Sequence, residues 1–309
     1  MAEPQRCSPY ASPSATRAVL EAHGLTAKYT FGQNFLVNDD VIRRILQLSA
    51  VGEADGVLEV GPGIGTLTAA LLQRGRYVVA VERDADLPPV LADALYPWRE
   101  RFSLVEKDAL QLSAADVEGT LSVLPAAGGA MPNKLVSNLP YAVAATVVLD
   151  YFQRFASLES ATVMVQKEVA ERMMALPGTK TYGAYTVKLG LYARPAGHFA
   201  VGPGNFFPPP RVESTVIRLD RAPVMAPDGR PASPELLAAA CTMADAAFAT
   251  RRKTLANSCK TYFAGRSPVQ QQLPRLFARA AIDPRLRGEA LSKEDFLALG
   301  QALLALGEA

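Results

Sequence analysis

Five short apolar runs rich in β-branched residues recur along the chain: 56–60 (GVLEV), 77–82 (YVVAVE), 102–106 (FSLVE), 134–138 (KLVSN) and 161–166 (ATVMVQ). Runs of this length without polar alternation read as strands buried on both faces. Amphipathic stretches with helical spacing separate most of them, and the alternation predicts an α/β fold with a mostly parallel sheet covered on both sides. Two further runs, 197–201 (GHFAV) and 214–219 (STVIRL), are joined by a Pro/Gly-rich loop too short for a crossover helix, which predicts an antiparallel hairpin at the sheet edge. That makes seven strands. Ahead of them a helical pattern covers 16–23, and Asn38 or Asp39 is placed to cap a helix bearing Val41, Ile42, Ile45, Leu46 and Leu48. A linker at 220–234 (DRAPVMAPDGRPASP) closes the α/β pattern, and beyond it only helical periodicity continues, with Ser233 as the first cap. The expected organisation is an N-terminal extension and first helix over 1–28, the α/β domain over 29–222 and a small all-helical domain over 231–309.

Composition adds bounds rather than chemistry. With 309 residues, 49% of them hydrophobic and 20% charged, the chain can bury a large core. No apolar run approaches the roughly 18 residues a membrane helix needs, and the first residues lack the basic-then-apolar order of a signal peptide, so a cytoplasmic protein with no membrane partner is expected. Cys7, Cys241 and Cys259 are widely spaced and form no C-x-x-C pair, so neither a disulfide framework nor a metal site is expected. The net charge of +2 hides an asymmetry: Ala246 to Arg287 holds nine Lys/Arg against Asp283 alone, a local charge of +8. Such a run is either a solvated helical face or the footprint of a polyanion.

The first strand leads into LEVGPGIGTLTAALLQRG, where Gly61, Gly63 and Gly65 allow a sharp turn and close approach of a ligand before a helix begins near Thr66. The spacing is G-x-G-x-G preceded by Glu59, not the G-x-G-x-x-G of dinucleotide sites, so a diphosphate is not favoured. Glu82 ends the second strand 21 residues after Gly61, where a carboxylate can accept from both hydroxyls of a ribose. Asp108 follows the third strand and can accept from an adenine amino group. Each carboxylate alone reads as a polar strand end. Together at three strand ends, beside the glycine turn, they describe a pocket for an adenosine without phosphates, and S-adenosyl-L-methionine fits that description.

The chain resembles the ribosomal RNA adenine N6,N6-dimethyltransferases, and within them the KsgA type acting on small-subunit ribosomal RNA. The stretches that carry the resemblance are GQNFL (32–36), LEVGPGIGTLT (58–68), VERD (81–84), KDAL (107–110), SNLPY (137–141), VQKEVAERM (165–173), GTKTYG (178–183), NFFPPPRVEST (205–215) and AFATRRKTLANS (247–258). The resemblance implies a Rossmann-like class I methyltransferase domain and a helical RNA-contacting domain. It implies S-adenosylmethionine as co-substrate, no metal, and a monomer that dimethylates two adjacent adenosines in a 3'-terminal hairpin loop during small-subunit biogenesis. Carried over by position, Gln33, Asn34 and Leu36 would close over the methionine end of the cofactor. Gly61, with Gly63 in the same turn, would contact it through the backbone, Glu82 and Asp108 would hold ribose and adenine, and Asn138 would face both cofactor and target base. Two departures stand out: Lys107 replaces the frequent Gly before the adenine-binding Asp, and Pro88-Pro89 occupy a helix start.

The exocyclic nitrogen of adenine is a poor nucleophile because its lone pair is delocalised into the ring, and acceptors aimed at its N–H bonds favour the pyramidal, attacking form. The Asn138 oxygen and a backbone carbonyl at Leu139 or Pro140 are the expected acceptors, with Pro140 lending rigidity. Tyr141 is expected to stack on the base, a contact of about 1–3 kcal/mol. By resemblance Phe206 rather than Phe207 would cover the other face, against the simpler reading of both as core at the sheet edge. A base in folded RNA has to be unstacked to reach the pocket, and loop adenines lose least. With the resemblance in hand, Arg251, Arg252 and Lys253, joined by Lys180, are read as phosphate contacts, and binding should be salt-sensitive.

Two alternatives stay open. An Erm-type enzyme, acting on large-subunit RNA and conferring macrolide resistance, shares much of the motif set, but GTKTYG, the triple proline and RRKT look more like the KsgA type. A non-catalytic RNA-binding assembly factor keeps the fold, and the intact Asn138, Glu82 and Asp108 argue against it. A DNA adenine methyltransferase would carry Pro where Leu139 stands.

Overall fold

A computed structural model describes residues 6–28, 33–265 and 267–307. Gly32 of the GQNFL stretch, Arg266 of the basic run and the start of the N-terminal extension lie outside the described residues. The elements are α1 (Pro13–Ala22), β1 (Phe35–Leu36), α2 (Asp39–Ser49), β2 (Gly56–Val60), α3 (Thr66–Leu72), β3 (Tyr77–Glu82), α4 (Leu87–Ala94), β4 (Phe102–Glu106), α5 (Ala114–Leu121), β5 (Lys134–Asn138), α6 (Ala144–Arg154), β6 (Ser160–Gln166), α7 (Lys167–Met173) and α8 (Ala184–Gly190). They continue with β7 (Ala193–Val201), β8 (Phe206–Phe207), β9 (Ser214–Arg221), α9 (Pro234–Phe248), α10 (Leu255–Tyr262), α11 (Ser267–Ala280) and α12 (Lys293–Gly307).

The apolar runs form the sheet the pattern calls for. Among the described residues its order is β4-β3-β2-β5-β6-β9-β7. The β2–β3, β3–β4, β2–β5 and β5–β6 pairs are parallel and β9 runs antiparallel to β6. The expected edge pair is present, with β7 outermost. From β2 the chain lays down β3 and β4 on one side, then returns to lay down β5 and β6 on the other. The loops leaving the carboxyl ends of β2 and β5 therefore diverge and open a crevice between them.

Local signals place the helices that cover this sheet. Asn38 caps α2, its side chain accepting from the N–H groups of Asp40 and Val41, a cap worth about 1 kcal/mol. Val41, Ile42, Ile45 and Leu46 then point inward, each contributing roughly 1.5–3 kcal/mol when fully buried. Pro88 sits in the first turn of α4 without disturbing it, since the N–H it lacks has no partner there anyway. Ser233 caps α9 as expected.

The chain divides into two compact units: one holds residues up to Ala170 together with Pro195–Arg221, the other Glu171–Arg194 together with the chain from Ala222 onward. The second unit takes in 171–194, a stretch the sequence pattern assigned to the α/β part. The reason lies in its burial: Tyr182 is 3% exposed, packs in a core with Met243, Leu255, Phe277 and Phe296, and donates its phenol to the Leu291 carbonyl at 2.8 Å. Both Cys241 and Cys259 lie in this unit, and burial pushes their thiols up to about 11 and about 12. They are chemically quiet at neutral pH.

One pairing has no counterpart in the periodicity. β1 and β8 form an antiparallel ladder with Phe35 opposite Phe207 and Leu36 opposite Phe206, and Val37 N–H donates to the Asn205 carbonyl at 2.9 Å. Two residues per strand are too few for alternation to register.

Candidate active site

The carboxyl ends of β2, β3, β4 and β5 converge on a cavity of about 440 Å³. Gln33, Asn34, Leu36, Gly61, Gly63, Glu82, Asp108, Asn138, Leu139, Pro140 and Tyr141 all line it. The sheet order brings together the residues from Gly61 to Tyr141, while Gln33 and Asn34 reach the cavity through their bonds to Asp84 and Asn138.

The glycine turn forms the floor. Gly61 has φ +68° and Gly63 φ +60°, values side-chain-bearing residues rarely adopt. A Cβ at Gly63 would sit 3.1 Å from the Phe35 ring, and one at Gly61 would sit 3.4 Å from Pro140 Cγ. Backbone is therefore exposed to a ligand where side chains would fill the space. Gly61 N–H donates to the Val81 carbonyl at 2.9 Å, locking the turn to β3.

Four carboxylates surround this turn, each with its own set of partners. Glu59 on β2 is 1% exposed, its Oε2 has no hydrogen-bond partner, and it lines the cavity. Burial, reinforced by the neighbouring Glu82 charge, pushes its carboxyl up to about 8. Glu82 spends Oε1 on the N–H groups of Arg83 and Asp84, at 2.8 and 2.9 Å. Burial still raises its pKa, against the opposing effect of those bonds. Asp108 accepts from Leu110 N–H at 2.9 Å through Oδ1, while its Oδ2 faces the Arg83 guanidinium at 3.6 Å. Asp84, 4% exposed, accepts from Lys28 Nζ at 2.6 Å and Gln33 Nε2 at 2.8 Å. Burial would raise the Asp84 carboxyl, but the Lys28 and backbone hydrogen bonds outweigh it and hold the group below its ordinary value.

Asp84 changes the reading of Gln33. The Gln33 amide oxygen accepts from Lys28 N–H at 2.9 Å and its nitrogen is given to Asp84, so its polar atoms serve the cavity wall. The VERD stretch contained the signal for Asp84, since an acidic residue two positions past a strand end has to find a partner if it is buried. Lys107 likewise has a structural use: its Nζ lies 2.7 Å from Asp116 Oδ2, the carboxylate that closes the capping box of α5 with Ser113. The departure from Gly at this position thus adds a tie to α5.

On the β5 side, Asn138 is half-buried at the strand's end and its Nδ2 donates to the Asn34 carbonyl at 3.1 Å. Leu139 turns its side chain into the core, 2% exposed, and its N–H donates to Met164 O. The Pro140 carbonyl accepts from Val143 N–H at 3.1 Å. The Tyr141 hydroxyl lies 2.6 Å from Ser214 Oγ. Phe206 is placed elsewhere: it is 4% exposed, packs in the core beside Leu36 and Val201, and does not line the cavity. Its ladder position opposite Leu36 in β1 sends the ring inward. Phe207 is half-buried, with the Arg17 guanidinium 5.0 Å over its ring.

In the second unit the basic residues group as expected in part. Lys180, Arg251, Arg252 and Lys253 are all exposed. The Arg251 guanidinium donates to the Lys180 carbonyl and lies 3.8 Å from Glu289, which also faces Arg287 at 3.7 Å. Arg252 and Lys253 have no acidic partner among the described residues. No helix among the described residues is long and apolar enough to cross a membrane.

Residues 24–298 match the model of the ribosomal RNA adenine dimethylase family. The ribosomal RNA small subunit methyltransferase A of Streptococcus pneumoniae (strain P1031) is 35% identical, over 95% of this chain and 98% of that protein. The protein of the same name from Shouchella clausii (strain KSM-K16) is 37% identical, over 95% of each. Among solved structures, a dimethyladenosine transferase from Plasmodium falciparum has a TM-score of 0.70 at 21% identity, covering 88% of this chain and 98% of that one. The 23S rRNA methyltransferase ErmE has a TM-score of 0.60 at 22% identity, covering 87% and 99%. Both of these share the fold. On the match over most of its length, the chain belongs to the ribosomal RNA adenine dimethylase family.

Proposed function

We propose that the protein dimethylates the exocyclic nitrogen of adenosines in small-subunit ribosomal RNA, with S-adenosyl-L-methionine as methyl donor. The observation that carries this is the orientation of Asn138: with its nitrogen given to Asn34, its oxygen is the end left to accept from an amine entering the cavity.

The cavity suits the donor. The glycine turn leaves backbone open where a Cβ would intrude, Glu82 stands on the cavity wall at the end of its strand where a ribose would lie, and the unpartnered Glu59 oxygen marks a buried polar position that a ligand donor would satisfy. When bound, S-adenosylmethionine supplies a methyl group made electrophilic by its sulfonium. The chain's own residues supply orientation. Asn138 Oδ1 accepts one N–H of the adenine amine. The Pro140 carbonyl is engaged by Val143 N–H, so the Leu139 carbonyl is the better second acceptor. Tyr141 offers a ring for the base to stack on, and Leu139, buried, anchors the turn. Holding the nitrogen in line with the methyl group accounts for the rate without a strong base, because the amine becomes cationic on transfer and releases its proton to water.

The helical unit is the RNA-contacting part, through Lys180, Arg252 and Lys253, with Arg251 bracing the Lys180 turn. The small-subunit specificity is that of the curated relatives' names. Incubating the protein with S-adenosylmethionine and, in parallel reactions, with unmethylated small and large subunits, then mapping modified bases, tests the proposal. N6,N6-dimethyladenosine in small-subunit RNA is the expected product. Label only in large-subunit RNA would overturn the specificity, and no label in either would overturn the activity.

A further inference from the structure

Tyr141 and Ser214 are far apart in sequence, yet their hydroxyls lie 2.6 Å from each other. Tyr141 belongs to the turn between β5 and α6, with its ring on the cavity wall. Ser214 opens β9, is fully buried, and sits opposite Gln166 in the β6–β9 ladder. The far end of the tyrosine ring is thereby tied to a strand that the sheet holds in place. A ring fixed at both Cα and hydroxyl keeps its plane. A ring fixed at Cα alone can rock about its side-chain torsions.

We propose that Ser214 is a positioning residue for Tyr141, and that its hydrogen bond matters most for the second methyl transfer. This rests on the reading of Tyr141 as the surface on which the target base stacks. In the first transfer the amine has two N–H bonds, one for Asn138 Oδ1 and one for the Leu139 carbonyl, and both orient the base. After one methyl is added a single N–H remains, so one of the two bonds is lost and the alignment of nitrogen with the incoming methyl falls more heavily on the stack. A rocking ring then misaligns the second attack more than the first.

The test follows both transfers in single turnovers on unmethylated small subunits, with N6-monomethyl- and N6,N6-dimethyladenosine quantified by mass spectrometry of the digested RNA. Ser214→Ala and Tyr141→Phe each remove the hydrogen bond and keep the ring. Each is expected to slow the second transfer relative to the first by about fivefold, the effect of one neutral hydrogen bond, so that monomethyladenosine accumulates. The double variant should be no worse than either single one, with S-adenosylmethionine affinity unchanged. A purely structural defect would slow both transfers alike, and that result, or a wild-type partition, would overturn the proposal. Tyr141→Phe leaves the buried strand untouched and carries the test if Ser214→Ala does not fold. Tyr141→Ala separates the two levels. If it leaves both transfers intact, the stacking reading fails; if it is impaired while the two conservative variants partition as wild type, only the tether fails.

Discussion

The side-chain nitrogen of Asn138 donates to the main-chain carbonyl of Asn34 across 3.1 Å, and this one bond decides which end of the amide faces a substrate. It joins the GQNFL and SNLPY stretches, and a carboxylate cannot reproduce it, because an oxygen set against the Asn34 carbonyl is repelled. Both Asn138→Ala and Asn138→Asp should therefore lower kcat by about 100-fold or more. Affinity for small subunits, set mainly by phosphate contacts, should stay within about twofold. Methyl incorporation and filter binding on the same preparations read the two quantities, and near-normal turnover in Asn138→Asp would show that the amide's orientation is irrelevant.

The legible parts of this protein were those where one physical requirement acts over several adjacent residues. Buried parallel strands demand apolar runs, so β2 through β6 could be bounded from composition of the runs alone, and the glycine turn and strand-end carboxylates, read together from their spacing, do line one cavity. What escaped were requirements met by single residues across long separations. The β1–β8 ladder is two residues long, so nothing in the pattern warned that Phe206, expected over the target base, would turn into the core. Asp84, Ser214 and the Arg251–Lys180 contact depend on partners tens of residues away. The membership of 171–194 in the helical unit rests on Tyr182 and Val187 buried in its core, Leu191 packed with Leu236 and Leu297, and the Lys188–Asp245 ion pair, all to partners far along the chain.

Glu59 makes stability fall as pH rises. Its carboxyl is raised from 4.5 to about 8 by burial and the Glu82 charge. Below about pH 4.5 folded and unfolded chains both carry the proton; between 4.5 and 8 only the folded chain does, so each pH unit removes up to about 1.4 kcal/mol of stability until the folded group also ionises. The neutral isostere in Glu59→Gln abolishes this slope. Melting temperatures from pH 5 to 8 should decline less in the variant, with its advantage over wild type largest near pH 8. Parallel profiles would sink the idea.

Asp84 should link cofactor affinity to the segment around Lys28. It receives Lys28 Nζ and Gln33 Nε2, and its own N–H donates to Glu82 Oε1. In Asp84→Asn the ion pair with Lys28 is lost and the new amide nitrogen opposes existing donors. The expected result is a melting temperature lower by several degrees and weaker S-adenosylmethionine binding by calorimetry, with kcat at saturation much less changed. Because the wild-type carboxyl is held below its ordinary value, its stabilisation is present at neutral pH and lost as pH falls through that lowered value. The gap between variant and wild type should accordingly narrow in acid, and a gap independent of pH would remove Asp84 from this role.

The basic residues of the helical unit should separate into two behaviours. Arg252 and Lys253 are exposed and have no acidic partner among the described residues, so each is available to a phosphate. Replacing both with Ala should weaken small-subunit binding and reduce the slope of log affinity against log salt by about 1–2. Arg251 differs, because its guanidinium holds the Lys180 carbonyl and faces Glu289. Loss of Arg251 then releases the turn that presents Lys180, so Arg251→Ala and Lys180→Ala should be non-additive, whereas Arg252→Ala and Lys253→Ala, which share no partner, should add. Titrations of small subunits at several salt concentrations read both patterns. An unchanged salt slope in the Arg252→Ala/Lys253→Ala variant would place the RNA contact on another surface.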